Sequence, residues 1–174
     1  MANYGERLLD VKIVKKLKST GGILLKGIRF CGKTTTALHH AASSVRLDES
    51  ELIREQARLI PHIVLQGATP RLLDEWQLVP SIWNTVRSEK GQFILTGSAS
   101  PSDDISTHTG AGRIARLTLR TMSLAESNES IKAVNFSDFF VKNTKIGGLG
   151  GVAIEDYAKL IVRGGMPALI HETP

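Results

Sequence analysis

The chain has one cysteine, Cys31, among 174 residues, and only 5% of it is aromatic. A lone thiol excludes an internal disulfide, so the fold must be held by a buried core; the same scarcity suits a cytoplasmic protein without requiring one. No apolar run approaches the ~20 residues of a membrane-crossing helix, so no membrane span is expected. The opening residues, Met1-Ala2-Asn3-Tyr4-Gly5-Glu6, lack the charged-then-apolar pattern of a secretory leader. There is no internal repeat and no low-complexity tract. What is present is 41% hydrophobic residues, enough at this length for one sizeable core, and a net charge of +5.

Residues 27–34 read Gly27-Ile28-Arg29-Phe30-Cys31-Gly32-Lys33-Thr34. Two glycines let such a loop curl so that its N–H groups face phosphate oxygens, the lysine reaches the β and γ phosphates, and the threonine hydroxyl goes to Mg²⁺. The flanks agree with this chemistry. Ile23-Leu24-Leu25 reads as a buried strand, and the run from Thr34 and Thr35 onward can open a helix whose N-terminus faces anions. The expected ligand is a nucleoside triphosphate with Mg²⁺. Cys31 within the loop reads as a small apolar filler.

Further along, Pro70-Arg71-Leu72-Leu73-Asp74-Glu75 is a short apolar strand ending in two carboxylates. Behind a phosphate loop, Asp74 is expected to join the Mg²⁺ shell and Glu75 to polarise the attacking water. Alone, the pair would read as a solvated strand end. A third strand, Gln92-Phe93-Ile94-Leu95-Thr96, runs into Gly97-Ser98, which places the Thr96 and Ser98 hydroxyls where a strand tip could sense phosphate. A plain turn is the alternative for such a sequence.

The coarse pattern is helix 6–18, strand 22–27, helix 33–42, strand 44–48, helix 49–59 closed by Pro61, strand 71–75, helix 79–89, strand 92–96 and strand 114–119. Alternation of this kind argues for an α/β fold with a mostly parallel sheet covered by helices on both faces. Arg113, just before the last strand, is the candidate for the cation that phosphoryl transfer requires at the γ phosphate, delivered across a subunit interface in a homo-oligomer. Arg116 and Arg120 read as structural or surface ion pairs. Lys12, Lys15, Lys16 and Lys18 flank Leu9, Ile13 and Leu17 on an amphipathic helix. A solvated face explains them. A nucleic-acid phosphate contact is the alternative, and the absence of interleaved aromatics counts against it. His39 and His40 read as packing or surface residues, and Trp76 and Trp83 as core beside the carboxylate strand.

Three segments together, Cys31 to Thr36, Arg71 to Gln77 and Phe93 to Ser98, carry a resemblance to AAA-type P-loop ATPases of bacteria and archaea that bear a C-terminal domain of unknown function. The likeness continues through Ser81 to Trp83, Gly110 to Leu117, Met122 to Ser127 and Arg163 to Pro167, and includes Tyr4 and Arg7. It implies a three-layer P-loop fold of the additional-strand class, ATP rather than GTP, and hydrolysis to ADP and phosphate. It also implies a further C-terminal half beyond the length of this chain. The domain reading that follows is an ATPase core over residues 1–146, a Gly-rich linker over 147–151, and the start of a lid over 152–174. A non-hydrolysing nucleotide switch and a small-molecule kinase are the rival functions; a nucleic-acid-stimulated motor rests on charge alone.

Overall fold

The computed structural model describes residues 4–89, 92–97, 112–130, 132, 134, 136–141, 147 and 151–170. The chain divides into two compact units, Met1–Arg120 and Thr121–Pro174.

In the first unit, strands β1 (Gly22–Lys26), β2 (Ser43–Arg46), β3 (Arg71–Asp74), β4 (Phe93–Thr96) and β5 (Ile114–Thr118) form one sheet in the order β2-β3-β4-β1-β5, every neighbouring pair parallel. Parallel strands need crossovers, and helices α1 (Asp10–Ser19), α2 (Lys33–His40), α3 (Glu51–Leu59), α4 (Pro61–Leu65) and α5 (Ile82–Ser88) lie along the chain between and ahead of them.

Side chains alternate between the two faces of each strand, and the burial follows that period. Ile23 and Leu25 of β1, Leu72 of β3 and Ile94 of β4 join Ile13 and Leu17 of α1 and Ala37 of α2 in one cluster. Leu24, Leu73, Phe93 and Leu95 point the other way, into a second cluster with Ala57 of α3, Val64 and Leu65 of α4, and Ile82, Trp83 and Val86 of α5. The apolar strand runs are therefore continuous because both sheet faces are covered. Trp76 and Trp83 are core, their rings 5.3 Å apart between centroids. Arg116 lies 5.8 Å over the Trp83 ring as a cation–π partner, in place of the expected ion pair.

Several element ends differ from the expected ones, α1 starting at Asp10 and β2 ending at Arg46 among them, and two differences have a local cause. Pro61 does close α3, but it also opens α4, since a proline at the first helical position needs no N–H partner and already has a helical φ. The third strand stops at Asp74, because Glu75 turns into the left-handed region (φ 54°, ψ 40°) and a 3-10 turn over Trp76–Leu78 follows. The start of α3 obeys local chemistry: Ser50 caps it, its hydroxyl accepting from the Ile53 N–H at 3.2 Å.

The second unit holds a 3-10 turn at Phe136–Phe140, helix α6 (Ile154–Arg163) and a 3-10 turn at Pro167–Leu169. Arg163 closes it onto Glu129 with two hydrogen bonds of 2.6 and 2.5 Å. α6 ends where Gly164 takes φ 70°, a conformation that costs glycine little. The helix lies inside residues 152–174, where the start of a lid is expected, and only two residues of the expected 147–151 linker, Gly147 and Gly151, are described.

Leu95 is fully buried at the centre of the second cluster, so Leu95→Ala should cost about 2–5 kcal/mol of unfolding free energy. Urea unfolding of parent and variant checks this: the midpoint falls while the slope holds.

Candidate functional site

In a parallel sheet all strands end at one edge, and here β1, β2, β3 and β4 each deliver a functional group there. The register makes Arg46, Asp74 and Thr96 neighbours across β2, β3 and β4, with Leu25 of β1 level with Thr96. The Gly27–Thr34 loop leaves the edge directly after β1.

The loop is shaped by close packing and by glycine. Cβ on Gly27 would press on the Leu119 carbonyl and the Cys31 sulfur, so the first position admits no side chain. Gly32 has φ 94° and heads α2, where its carbonyl accepts the Thr36 N–H at 2.9 Å. Cys31 is buried with its thiol 3.5 Å from the Leu119 carbonyl, the packing role expected of it. Ile28, Arg29 and Phe30 form an exposed crown, with Arg29 5.3 Å over the Phe30 ring, and Thr35 is exposed on the first turn of α2. Lys33, 8% exposed, folds over the loop and donates to the carbonyls of Gly27 at 3.0 Å and Ile28 at 2.9 Å.

Asp74 is the meeting point. Its carboxylate is 2% exposed, and one oxygen accepts from the Thr34 hydroxyl at 3.1 Å and from the Thr96 hydroxyl at 2.5 Å. The other oxygen faces the Arg46 guanidinium at 4.0 Å, while Arg46 also donates to Asp48 at 3.0 Å. A buried carboxylate beside a threonine hydroxyl is a hard-oxygen pair of the kind Mg²⁺ takes, so Thr34 and Asp74 fit that ion. Among the described residues no cluster of three or more His, Cys, Asp or Glu side chains could hold a metal without a ligand's help. Glu75, one residue on, is half-buried and accepts from the Gln77 side-chain amide.

Thr96 spends its hydroxyl on Asp74, so it orients the carboxylate. Ser98 lies outside the described residues. Arg113 sits at the opposite edge: its carbonyl accepts from Gly22, where β1 begins, four strand steps or ~13 Å from the level of Lys26. The loop and Arg113 therefore do not meet within one chain.

Three residues have places at the site that the pattern of residues alone did not assign. Arg7, 6% exposed, donates to the carbonyls of Cys31 at 3.1 Å and Arg120 at 2.7 Å, tying the loop to the end of β5. Arg46 and Gln77 are the others. Only the recurring segments containing Arg7 and Gln77 signalled either of them; Arg46 had no signal.

Helix α2 is anchored at its far end as well. His40 contacts Asp10 at 2.8 Å, Tyr4 donates to the same carboxylate at 2.9 Å, and the Tyr4 ring stacks on His39 at 3.9 Å. Burial, with the Asp10 charge adding to it, pushes the Tyr4 hydroxyl up to about 12. Burial also opposes charge on Asp10, but hydrogen bonds from the Arg7 N–H, His40 and Tyr4 outweigh it and hold this carboxyl below its ordinary value.

A parallel sheet in this strand order, with a glycine loop after β1, between β4 and β5, and a carboxylate on β3, defines the chain as a P-loop NTPase fold. The profile of a family described as an AAA domain matches residues 19–128, more than half of the chain, and the chain belongs to that family. A family-level function follows: nucleotide binding of the ATPase type. Among solved structures, the chain is similar to a Signal Transduction ATPase with Numerous Domains (STAND) protein with a tetratricopeptide repeat sensor from Pyrococcus horikoshii. The TM-score is 0.52 at 14% identity, over 98% of this chain and 29% of that one. At that identity the likeness speaks to the fold. The chain thus spans under a third of the length of that structure. No curated protein sequence matches it. Among the described residues no helix is long and apolar enough to cross a membrane.

Because folding lowers the Asp10 pKa, its stabilising effect is present above the ordinary carboxyl value of 3.8 and is lost as pH falls through the lower folded value. Asp10→Asn should therefore melt below the parent at neutral pH, and the two curves should converge as pH drops from about 5 to about 2. A gap independent of pH would show that the carboxylate charge is not what holds α1 to α2.

Proposed function

We propose that this chain binds Mg²⁺-ATP on the Gly27–Thr34 loop and hydrolyses it to ADP and phosphate. The observation that supports this best is the convergence of Lys33, Thr34, Asp74 and Thr96 at one sheet edge, with Glu75 beside them. In this reading loop N–H groups and Lys33 receive the phosphate oxygens, Lys33 exchanging its two carbonyl acceptors for the β and γ phosphates. Thr34 and Asp74 would hold Mg²⁺, which when bound neutralises phosphate charge. Thr96 keeps Asp74 in the orientation that role needs.

Glu75 is the base in this reading. Its carboxylate takes a proton from water as the water oxygen bonds to the γ phosphorus and the bond from that phosphorus to the β–γ bridging oxygen breaks, leaving ADP and phosphate. ATP in preference to GTP comes from the resemblance, since no Asn-Lys-x-Asp guanine-reading element is present. Arg113 lies at the far edge of its own sheet, so any role for it at a γ phosphate is in a neighbouring subunit's site. Such a finger is worth about 10³ to 10⁵ in rate.

Phosphate release from Mg²⁺-ATP, measured over a range of protein concentrations, tests the proposal. Glu75→Gln should lower turnover by about 10² to 10⁴ while nucleotide still binds. Equal turnover in parent and variant would remove Glu75 from the mechanism, and bound nucleotide with no turnover in the parent would make the chain a switch. A rise steeper than linear with concentration, abolished in Arg113→Ala, is the signature of a finger supplied in trans.

A further inference from the structure

Gln77 is placed by two contacts that point in opposite directions. Its amide NH₂ donates to one carboxylate oxygen of Glu75. Its carbonyl oxygen is buried with no hydrogen-bond partner among the described residues and faces Gly97, the residue after Thr96 at the tip of β4. Cβ on Gly97 would overlap that oxygen, and the carbon bearing it would be 2.8 Å away, so the absence of a side chain at Gly97 is what lets the amide sit there. Glu75 itself is held in the left-handed region, which a non-glycine residue adopts at a cost, and its second carboxylate oxygen has no hydrogen-bond partner among the described residues.

We propose that Gln77 is the positioning residue for the base of the hydrolysis described above: it clamps one oxygen of Glu75, leaves the other for the attacking water, and seats itself against Gly97 so that the base is indexed to the strand carrying Thr96. The inference rests on the hydrolytic reading. Glu75 leads into a turn and has rotatable bonds enough to swing away from a reacting atom, and a displacement near 1 Å is sufficient to lose about 10²-fold in rate. A one-sided clamp removes that freedom without occupying the oxygen that takes the proton. Gln77 touches neither nucleotide nor water in this role and acts through Glu75.

The test is a double-mutant cycle on the intact chain, reading kcat and KM for Mg²⁺-ATP hydrolysis, nucleotide Kd by direct binding, and melting temperature. Gln77→Ala is expected to lower kcat about 10- to 100-fold with Kd changed less than about 2-fold. Gly97→Ala, which displaces the amide, is expected to do the same, and the double variant is expected to be no worse than either single one, because both changes break one linkage. Gln77→Glu keeps the size but cannot donate from an NH₂ group, and should match Gln77→Ala; it also serves if the alanine variant fails to melt cooperatively. Unchanged kcat in both Gln77 variants overturns the proposal, as does a fully additive cycle. A rise in kcat overturns it too, since Gln77 would then withhold the base. A parent chain that binds nucleotide without turnover refutes the hydrolytic reading first, and this role with it.

Discussion

Burying the Asp74 carboxylate is costly unless its lone pairs are filled, and that requirement organises the carboxyl edge of the sheet. Two hydroxyls, from Thr34 on α2 and Thr96 on β4, supply hydrogen bonds, and Arg46 on β2 supplies opposite charge at 4.0 Å. Three separate elements are thereby referenced to one charged group on β3. The phosphate loop lies between β1 and α2, so fixing Thr34 to Asp74 also fixes where the loop can stand. Lys33 is the adjacent residue on the same helical turn, and its position follows.

Topology explains why only one edge carries this chemistry. Parallel β1, β3 and β4 end together, and each continues into a segment that leaves the strand direction: the glycine loop, the left-handed Glu75, and Gly97. The interiors of β1, β3 and β4 are committed to the two core clusters and have no room for polar function. Arg113 shows the converse. It lies beside the first residue of β5, and the parallel register that brings Asp74 next to Thr96 carries Arg113 away from both.

Much of this was legible in the residues because the signals were local. Gly27, Gly32, Lys33 and Thr34 announce their loop through the backbone needs of glycine, and continuous apolar runs at Ile23–Leu25 and Phe93–Leu95 announce strands covered on both faces. Element ends were less legible. Glu75 reads as the last residue of a strand, and nothing in its identity reveals φ 54°; Pro61 reads as a stop and is equally a start. The partners of Arg7, Arg46 and Gln77 were hidden for a different reason. Each makes its contacts through a long flexible side chain whose target is set by packing, and for Arg7 the targets are 24 and 113 residues away.

Polar groups left without partners gather in the segment after Asp74. The indole N–H groups of Trp76 and Trp83 and the carbonyl oxygen of Gln77 are all buried and unpaired among the described residues, each at a cost of about 1–3 kcal/mol. A left-handed Glu75 adds to that. Among the described residues no other buried side-chain nitrogen or oxygen lacks a partner, so the deficit is concentrated where β3 hands over to the second cluster. The two tryptophans offset it by burying large ring surfaces in the cluster that also holds Leu73, Ile82 and Leu95. Stability thus comes from the rings while the backbone at Glu75, just ahead of them, holds a shape that stability alone would not select, and that shape is the one that brings Glu75 and Gln77 to the edge where Thr34 and Asp74 meet.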